Sequence, residues 1–244
     1  MFSSLSIVLP AYNEQDSIET AVRGAVAAAR GLFADYEVVV VDDGSRDATA
    51  ERLAALEREI GPRLRPLRHP ANRGYGAALR TGFAAARGDL VFYTDSDNQF
   101  DLGQLGSALP LLAGCDAVLG YRQHRQDPFT RLCTSAVFNR LTCLALGMSV
   151  RDLNCSFKLF RREAIQSLSL ESDDFFIDAE LVARLHRAGW RYAQMPVRHF
   201  PRTAGRSSVR ATDVPRTLRS LARMRARLRE QPRARAPAAG GARP

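Results

Sequence analysis

Short, uniformly apolar runs alternate with longer segments of mixed polarity through the first half of the chain. Runs of strand length occur at Leu5–Leu9, Tyr36–Val41, Leu90–Tyr93 and Ala117–Leu119, with a weaker one at Leu64–His69. Segments rich in Ala, Leu, Arg and Glu separate them, predicting helices over Asp16–Arg30, Ala48–Ile60, Ala77–Arg87 and Leu102–Leu112. Val38 to Val41 is an unbroken β-branched run, which favours a strand. Short strands apolar on both faces, alternating with helices, predict an α/β domain with a mostly parallel sheet covered on both sides. Right-handed crossovers would bring the strand C-termini to one edge, where open α/β sheets bind ligands. That edge collects Pro10–Glu14, Asp42–Ser45 and Asp95–Gln99.

The second half is less regular. Pro128–Met148 reads as a helix, Ser156–Phe160 as a short strand, Ile177–Ala188 as a helix stopped by Gly189, and Tyr192–Val197 as another strand. Asp213–Glu230 reads as a final helix, with Asp213 as N-cap and Pro215 in the first turn. Residues 231–244, rich in Pro, Ala, Gly and Arg, are expected to be disordered. The expected organisation is therefore a domain over 1–212, a basic amphipathic helix over 213–230 and a tail over 231–244. In that last helix Leu218, Leu221, Met224 and Leu228 form an apolar stripe surrounded by arginines. Such a helix suits the surface of an anionic membrane, and equally suits packing on the domain, because periodicity does not say what the stripe faces.

Composition narrows the classes. With 244 residues and 45% hydrophobic content the chain can bury a sizeable core. No apolar stretch of about 18 residues predicts a membrane-spanning helix, and the start lacks the features of a signal peptide. A cytoplasmic location is expected, peripheral at the cytosolic membrane face if the last helix lies on a bilayer. The 4 cysteines show no C-x-x-C spacing, so zinc is not expected and they read as small apolar residues or free thiols. The net charge is +9, with arginine crowding the region after Arg198. A basic tail attracts nucleic acid, anionic lipid or a phosphorylated substrate. Aromatic residues are not interleaved with the basic run, so the stacking platforms of single-strand binders are missing and no nucleic-acid partner is expected.

The candidate chemistry lies at the strand ends. Thr94-Asp95-Ser96-Asp97 follows an apolar strand, so two carboxylates can reach one small cation. Their hard oxygens suit Mg²⁺ or Mn²⁺, ions that bridge protein carboxylates to substrate phosphates. Pro10 is expected to end the first ladder, Tyr12 offers a stacking face, and Glu14 can accept from a base or start a helix. Asp42-Asp43-Gly44-Ser45 offers a carboxylate to a base N–H, or is a plain turn. Asn72–Ala77 resembles a phosphate loop but matches neither the Walker nor the dinucleotide pattern; close backbone packing beside the nucleotide, or a plain glycine turn before a helix, is its expected role. Asp178-Ala179-Glu180 either orients an acceptor or complements a helix dipole.

Taken in order, Pro10–Glu14, Asp42–Ser45, Asn72–Ala77, Asp95–Gln99 and Gly120-Tyr121-Arg122 resemble family 2 glycosyltransferases of Rossmann-like GT-A fold. The stretch Asp152–Phe160, and Pro196–Arg202 followed by Gly205 and Ser207, resemble the branch containing dolichyl-phosphate mannose synthase and bacterial polyprenyl-phosphate glycosyltransferases. The resemblance implies a nucleoside diphosphate sugar donor, a polyprenyl-phosphate acceptor and inversion at the anomeric carbon. It implies that Pro10, Tyr12, Glu14, Val41 and Asp43 hold the nucleoside and that Asp95 and Ser96 face the donor. It also assigns Asp97 and Gln99 to the metal, and Arg122 and Arg202 to sugar or phosphate. Ser208, flanked by Arg206 and Arg210, stands where relatives often carry lysine, which bears on donor or acceptor preference.

A phosphate acceptor has a second pKa of about 6 and needs no strong base. A sugar or protein hydroxyl would need one, and Asp178 or Glu180 would be the candidate. A nucleotide- or nucleic-acid-binding regulator is the reading of another class. An anionic membrane surface is an expected partner, and a membrane protein a further one.

Overall fold

A computed structural model describes residues 2–123, 129–201, 221 and 224–225. Seven strands form one sheet in the order β3-β2-β1-β4-β6-β5-β7. They are β1 (Ser4–Ala11), β2 (Asp35–Asp42), β3 (Leu64–Arg68), β4 (Leu90–Tyr93), β5 (Ala117–Gln123), β6 (Lys158–Arg161) and β7 (Tyr192–Arg198). All pairings are parallel except those of β6, which runs antiparallel to both β4 and β5. The helices are α1 (Ile18–Arg30), α2 (Thr49–Ile60), α3 (Tyr75–Ala85), α4 (Leu105–Ala108), α5 (Phe129–Leu146), α6 (Arg162–Gln166) and α7 (Ile177–Ala188).

The unbroken apolar strands are explained by two cores. Leu5, Ile7, Leu9, Val38, Val40 and Phe92 face one layer, closed by α1 and α2. Val8, Val39, Val41, Val91 and Tyr93 face the other, closed by α3, α6 and α7. Successive strand residues point to opposite faces, so a strand covered on both sides loses its polar alternation. α1 buries Ile18, Ala21, Val22, Ala25 and Ala29, the i, i+3, i+4 stripe of a helix lying on a sheet.

Three expectations change. β1 does not stop at Pro10, which pairs with Val41 of β2. The Val8 carbonyl accepts from Thr94 on the β4 side and the Ala11 carbonyl from Asp43 on the β2 side. Pro10 shares the orientation of Val8, so its missing N–H falls beyond the end of β4, where no ladder bond is lost. The helix expected over Leu102–Leu112 breaks into a 3-10 turn at Leu102–Gln104, the short α4, and a 3-10 segment at Leu109–Ala113. Gly103, Gly106 and Pro110 weaken a continuous helix there. The strand expected from Ser156 begins at Lys158 because the preceding residues form a turn. The short α6 carried too few residues for a periodic signal.

Of the helix expected over 213–230, Leu221, Met224 and Arg225 alone are described. Met224 is buried and Leu221 packs beside it against the second core. At these two positions the stripe faces the domain. Cys115, Cys143 and Cys155 are buried free thiols, as expected, while Cys133 is not assessed. Among the described residues no helix is long and apolar enough to cross a membrane.

The loop Asn72–Ala77 packs backbone to backbone against Ser172–Asp173, a neighbour distant in sequence. Gly74 has φ +101°, and a Cβ on Gly76 would lie 2.2 Å from the Ser172 carbonyl oxygen. Gly76→Ala gains about 1 kcal/mol of helix propensity but must push two backbones apart, so a net loss of about 1–2 kcal/mol is expected. Urea unfolding measures it; an unchanged midpoint would contradict this packing.

Candidate active site

The ends of β1, β2 and β4 bring three loops together. Two of them turn on asparagines in the left-handed region, Asn13 at φ 53° and Asn98 at φ 59°. The side-chain oxygen of Asn13 accepts from the Arg46 amide at 2.8 Å, and Asn98 donates to the Ser17 carbonyl at 3.1 Å. Ser96 is buried and donates to the Pro10 carbonyl at 2.7 Å, which ties the β4 loop to the β1 loop. Tyr12 is exposed, leaving its ring available for stacking. The Glu14 carboxylate accepts from Ser17 Oγ at 2.6 Å, at the entrance to α1.

Two of the residues that the resemblance assigns to the nucleoside have side chains engaged inside the protein. Val41 is fully buried in the second core, so its side chain meets other apolar groups. Asp43 is also buried. Its Oδ1 accepts from the Arg73 amide at 2.9 Å and lies 2.6 Å from His69 Nδ1, while Oδ2 accepts from the Gly74 amide at 2.8 Å. His69 Nε2 meets Thr81 Oγ1 at 2.9 Å. Asp43 therefore pins the glycine loop as well as standing beside the expected base pocket.

Asp95 accepts from Tyr75 Oη at 2.8 Å and from the hydroxyl of Ser156. Burial, and then the Asp97 charge, push its carboxyl up to about 7 against these two hydrogen bonds. Asp97 accepts from the Gln99 amide at 3.2 Å. Gln99 donates its side-chain N–H to the Phe200 carbonyl at 3.0 Å, and the Phe200 amide donates back to the Gln99 carbonyl at 2.8 Å. Two mutually repelling carboxylates at a strand end fit a divalent cation. Among the described residues no group of three or more His, Cys, Asp or Glu forms a closed cage.

Arg122 is gripped by Asp152, Nε to Oδ2 at 2.7 Å and Nη2 to Oδ1 at 2.8 Å. The pair lines a cavity of about 290 Å³ with Tyr121, Leu132, Ser135, Asn139 and Arg151. Arg151 lies over the Tyr121 ring at 4.6 Å. Arg202 falls outside the described residues.

The largest omission from the sequence reading is Lys158. It is fully buried, and its ammonium donates to Asp178 Oδ1 at 2.6 Å, Tyr93 Oη at 2.8 Å, and the carbonyls of Leu153 and Cys155 at 2.9 and 2.7 Å. A lysine inside an apolar strand run was the available signal, since a buried ammonium needs an anionic partner. Asp178 is that partner. Glu180 is buried as well, bound to Arg184 at 2.7 Å and to the amides of Glu171 and Ser172. Both carboxylates are thus committed to internal pairs while lying in the first turn of α7, where they also complement the helix dipole.

This fold, with its acidic loops gathered at the strand C-termini, is an α/β domain with a ligand edge. Residues 6–169 match the family model for glycosyl transferase family 2, and the chain belongs to that family. Glycosyltransferase AglD of Haloferax volcanii is 37% identical over 211 residues, covering 81% of this chain and 33% of that protein. An undecaprenyl-phosphate 4-deoxy-4-formamido-L-arabinose transferase of Edwardsiella ictaluri is 33% identical over 207 residues, covering 83% of this chain and 62% of that protein. The chain thus spans from a third to some three-fifths of the length of these relatives. Glucosyl-3-phosphoglycerate synthase from Mycobacterium tuberculosis, solved with Mn²⁺, UDP and glucosyl-3-phosphoglycerate, superposes with a TM-score of 0.69. It shares 23% identity, with coverage of 94% of this chain and 81% of that one, and establishes the GT-A fold.

Two predictions follow from the charges. Lys158→Met leaves the Asp178 carboxylate buried without its cation and is expected to cost about 3–5 kcal/mol, with Lys158→Met/Asp178→Asn recovering much of it. Denaturant titration of both variants decides; equal losses would mean the two residues are not one unit. For Asp95, the unfolded chain ionises near 3.8 and the folded one near 7, so between these values the folded state binds more protons. Its contribution to stability therefore falls as pH rises through this window. Glu37 and Asp47, whose values are lowered, act in the opposite sense. The difference in urea midpoint between wild type and Asp95→Asn, in metal-free buffer, isolates the Asp95 slope; a pH-independent difference would refute it.

Proposed function

We propose that this domain transfers a sugar from a nucleoside diphosphate sugar to a polyprenyl phosphate, with inversion and with a divalent cation. The observation that carries the acceptor class is the commitment of Asp178 and Glu180 to buried ion pairs. A hydroxyl acceptor would need a base from this region, whereas a phosphate monoester is already ionised at neutral pH. The undecaprenyl-phosphate relatives support the same class.

In this reading Tyr12 stacks on the base, with Pro10, Glu14 and Asp43 bounding the nucleoside pocket. Ser96, bonded to the Pro10 carbonyl, fixes the distance between that pocket and the Asp95 loop. Asp97, with Gln99, would hold Mg²⁺ or Mn²⁺. The ion supplies neutralisation of the charge that develops on the departing diphosphate. Arg122 and Arg202 add cationic stabilisation to the phosphates. The acceptor phosphate oxygen attacks the anomeric carbon from the face opposite the diphosphate.

The acceptor lies at a bilayer surface, and α5 supports approach to one. Val137, Leu141 and Leu144 are exposed along one face of that helix, beside exposed Arg140. An apolar stripe with flanking cations fits an anionic interface.

With a panel of labelled sugar nucleotides and a short polyprenyl phosphate, label is expected in the solvent-extractable lipid. EDTA should abolish transfer, and Asp97→Asn should lower it on the order of 10²-fold or more. Label delivered instead to sugars or protein hydroxyls would overturn the acceptor class, and full turnover in EDTA would overturn the metal.

A further inference from the structure

Phe175 is a large apolar side chain left 46% exposed on the segment that leads into α7. Single exposed hydrophobic residues are ordinary. This one is held in place from several directions. Its ring stacks on Tyr75 with centroids 4.9 Å apart and planes at 25°. Tyr75 in turn donates its hydroxyl to Asp95 at 2.8 Å. The backbone on the N-terminal side of Phe175 is fixed to the loop that carries Tyr75. The Gly76 amide donates to the Asp173 carbonyl at 2.8 Å, and Arg80 pairs with Asp173 at 2.6 Å. On the other side, Asp174 Oδ1 accepts from the Phe176 amide at 3.0 Å. Glu180 accepts from the Ser172 amide at 2.7 Å.

The result is a rigid aromatic surface one side chain removed from the Asp95 carboxylate. A pyranose ring presents an apolar C–H face and a polar hydroxyl rim. An aromatic face, attractive to the positive edges of C–H bonds, together with a carboxylate that accepts from hydroxyls, matches both parts of such a ligand. Because the ring is already ordered, little conformational freedom is lost on binding.

We propose that Phe175 is the stacking platform for the transferred sugar of the donor. The inference rests on the reading that Asp95 faces the donor sugar. It goes beyond that reading by assigning the apolar half of the sugar site.

Calorimetry in Mn²⁺ buffer with UDP, GDP, UDP-glucose, UDP-N-acetylglucosamine and GDP-mannose tests it on wild type, Phe175→Ala and Phe175→Trp. For whichever sugar nucleotide binds wild type most tightly, Phe175→Ala is expected to weaken binding by roughly three- to tenfold. Binding of the corresponding free nucleoside diphosphate should stay within about twofold, and Phe175→Trp should restore the sugar nucleotide. In steady-state transfer the donor KM rises and the acceptor KM does not. Equal weakening of nucleoside diphosphate and sugar nucleotide, no weakening of either, or a change confined to the acceptor KM overturns the platform while leaving the transferase reading intact. A wild-type protein that binds none of the sugar nucleotides overturns both. Unfolding midpoints of the variants serve as the control, since an exposed ring contributes little to the core.

Discussion

The geometry of the catalytic edge depends on one buried ammonium group. Lys158 opens β6 and reaches back to the carbonyls of Leu153 and Cys155, fixing the turn that precedes its own strand. From that turn Asp152 grips Arg122 and Ser156 grips Asp95. Tyr93 and Asp178 complete the environment of the ammonium and tie it to β4 and α7. A buried ion pair adds little net stability compared with a well-packed apolar pair. What this one contributes is direction: its acceptors belong to separate elements, so their separations are fixed together. Asp95 and Arg122 thus answer to the same anchor.

The antiparallel entry of β6 makes this possible. A parallel strand between β4 and β5 would arrive at the ligand edge with its C-terminus. β6 places its N-terminus there, so the turn carrying Asp152 and Ser156 meets the end of β4 directly. The price elsewhere is small, because β6 is short and covered on both faces. Tyr93 pairs in register with Lys158, which puts the tyrosine hydroxyl and the ammonium at the same level of the sheet.

Much of this was legible from residue order. Continuous apolar runs announced strands covered on both sides, and the acidic and glycine-rich motifs fell at their C-terminal ends. The family followed from the order of those motifs. What escaped depends on partners distant in sequence. Val41 sits in a motif-bearing stretch, yet strand alternation turns its side chain into the core. Asp43 looked available to a base, but its two oxygens also anchor the Arg73–Gly74 backbone and His69. Asp178 and Glu180 read as acids that orient an acceptor or complement a helix dipole, because nothing local reveals Lys158 and Arg184 as their partners. The direction of β6 has no sequence signature, since apolar periodicity is the same for a strand run either way. Pro10 was misread because its effect depends on which side of β1 its missing donor faces.

The bond between Gln99 and Phe200 carries a thermodynamic consequence. The two residues exchange hydrogen bonds through both backbone and side chain, and Phe100 bridges His199 beside them. The turn bearing Asp97 and the segment following β7 are therefore a mechanically joined pair. Any free energy spent ordering one of them is not spent again on the other. Order in the Asp97 turn and order in the His199–Phe200 segment become linked equilibria, coupled by the same factor in each direction.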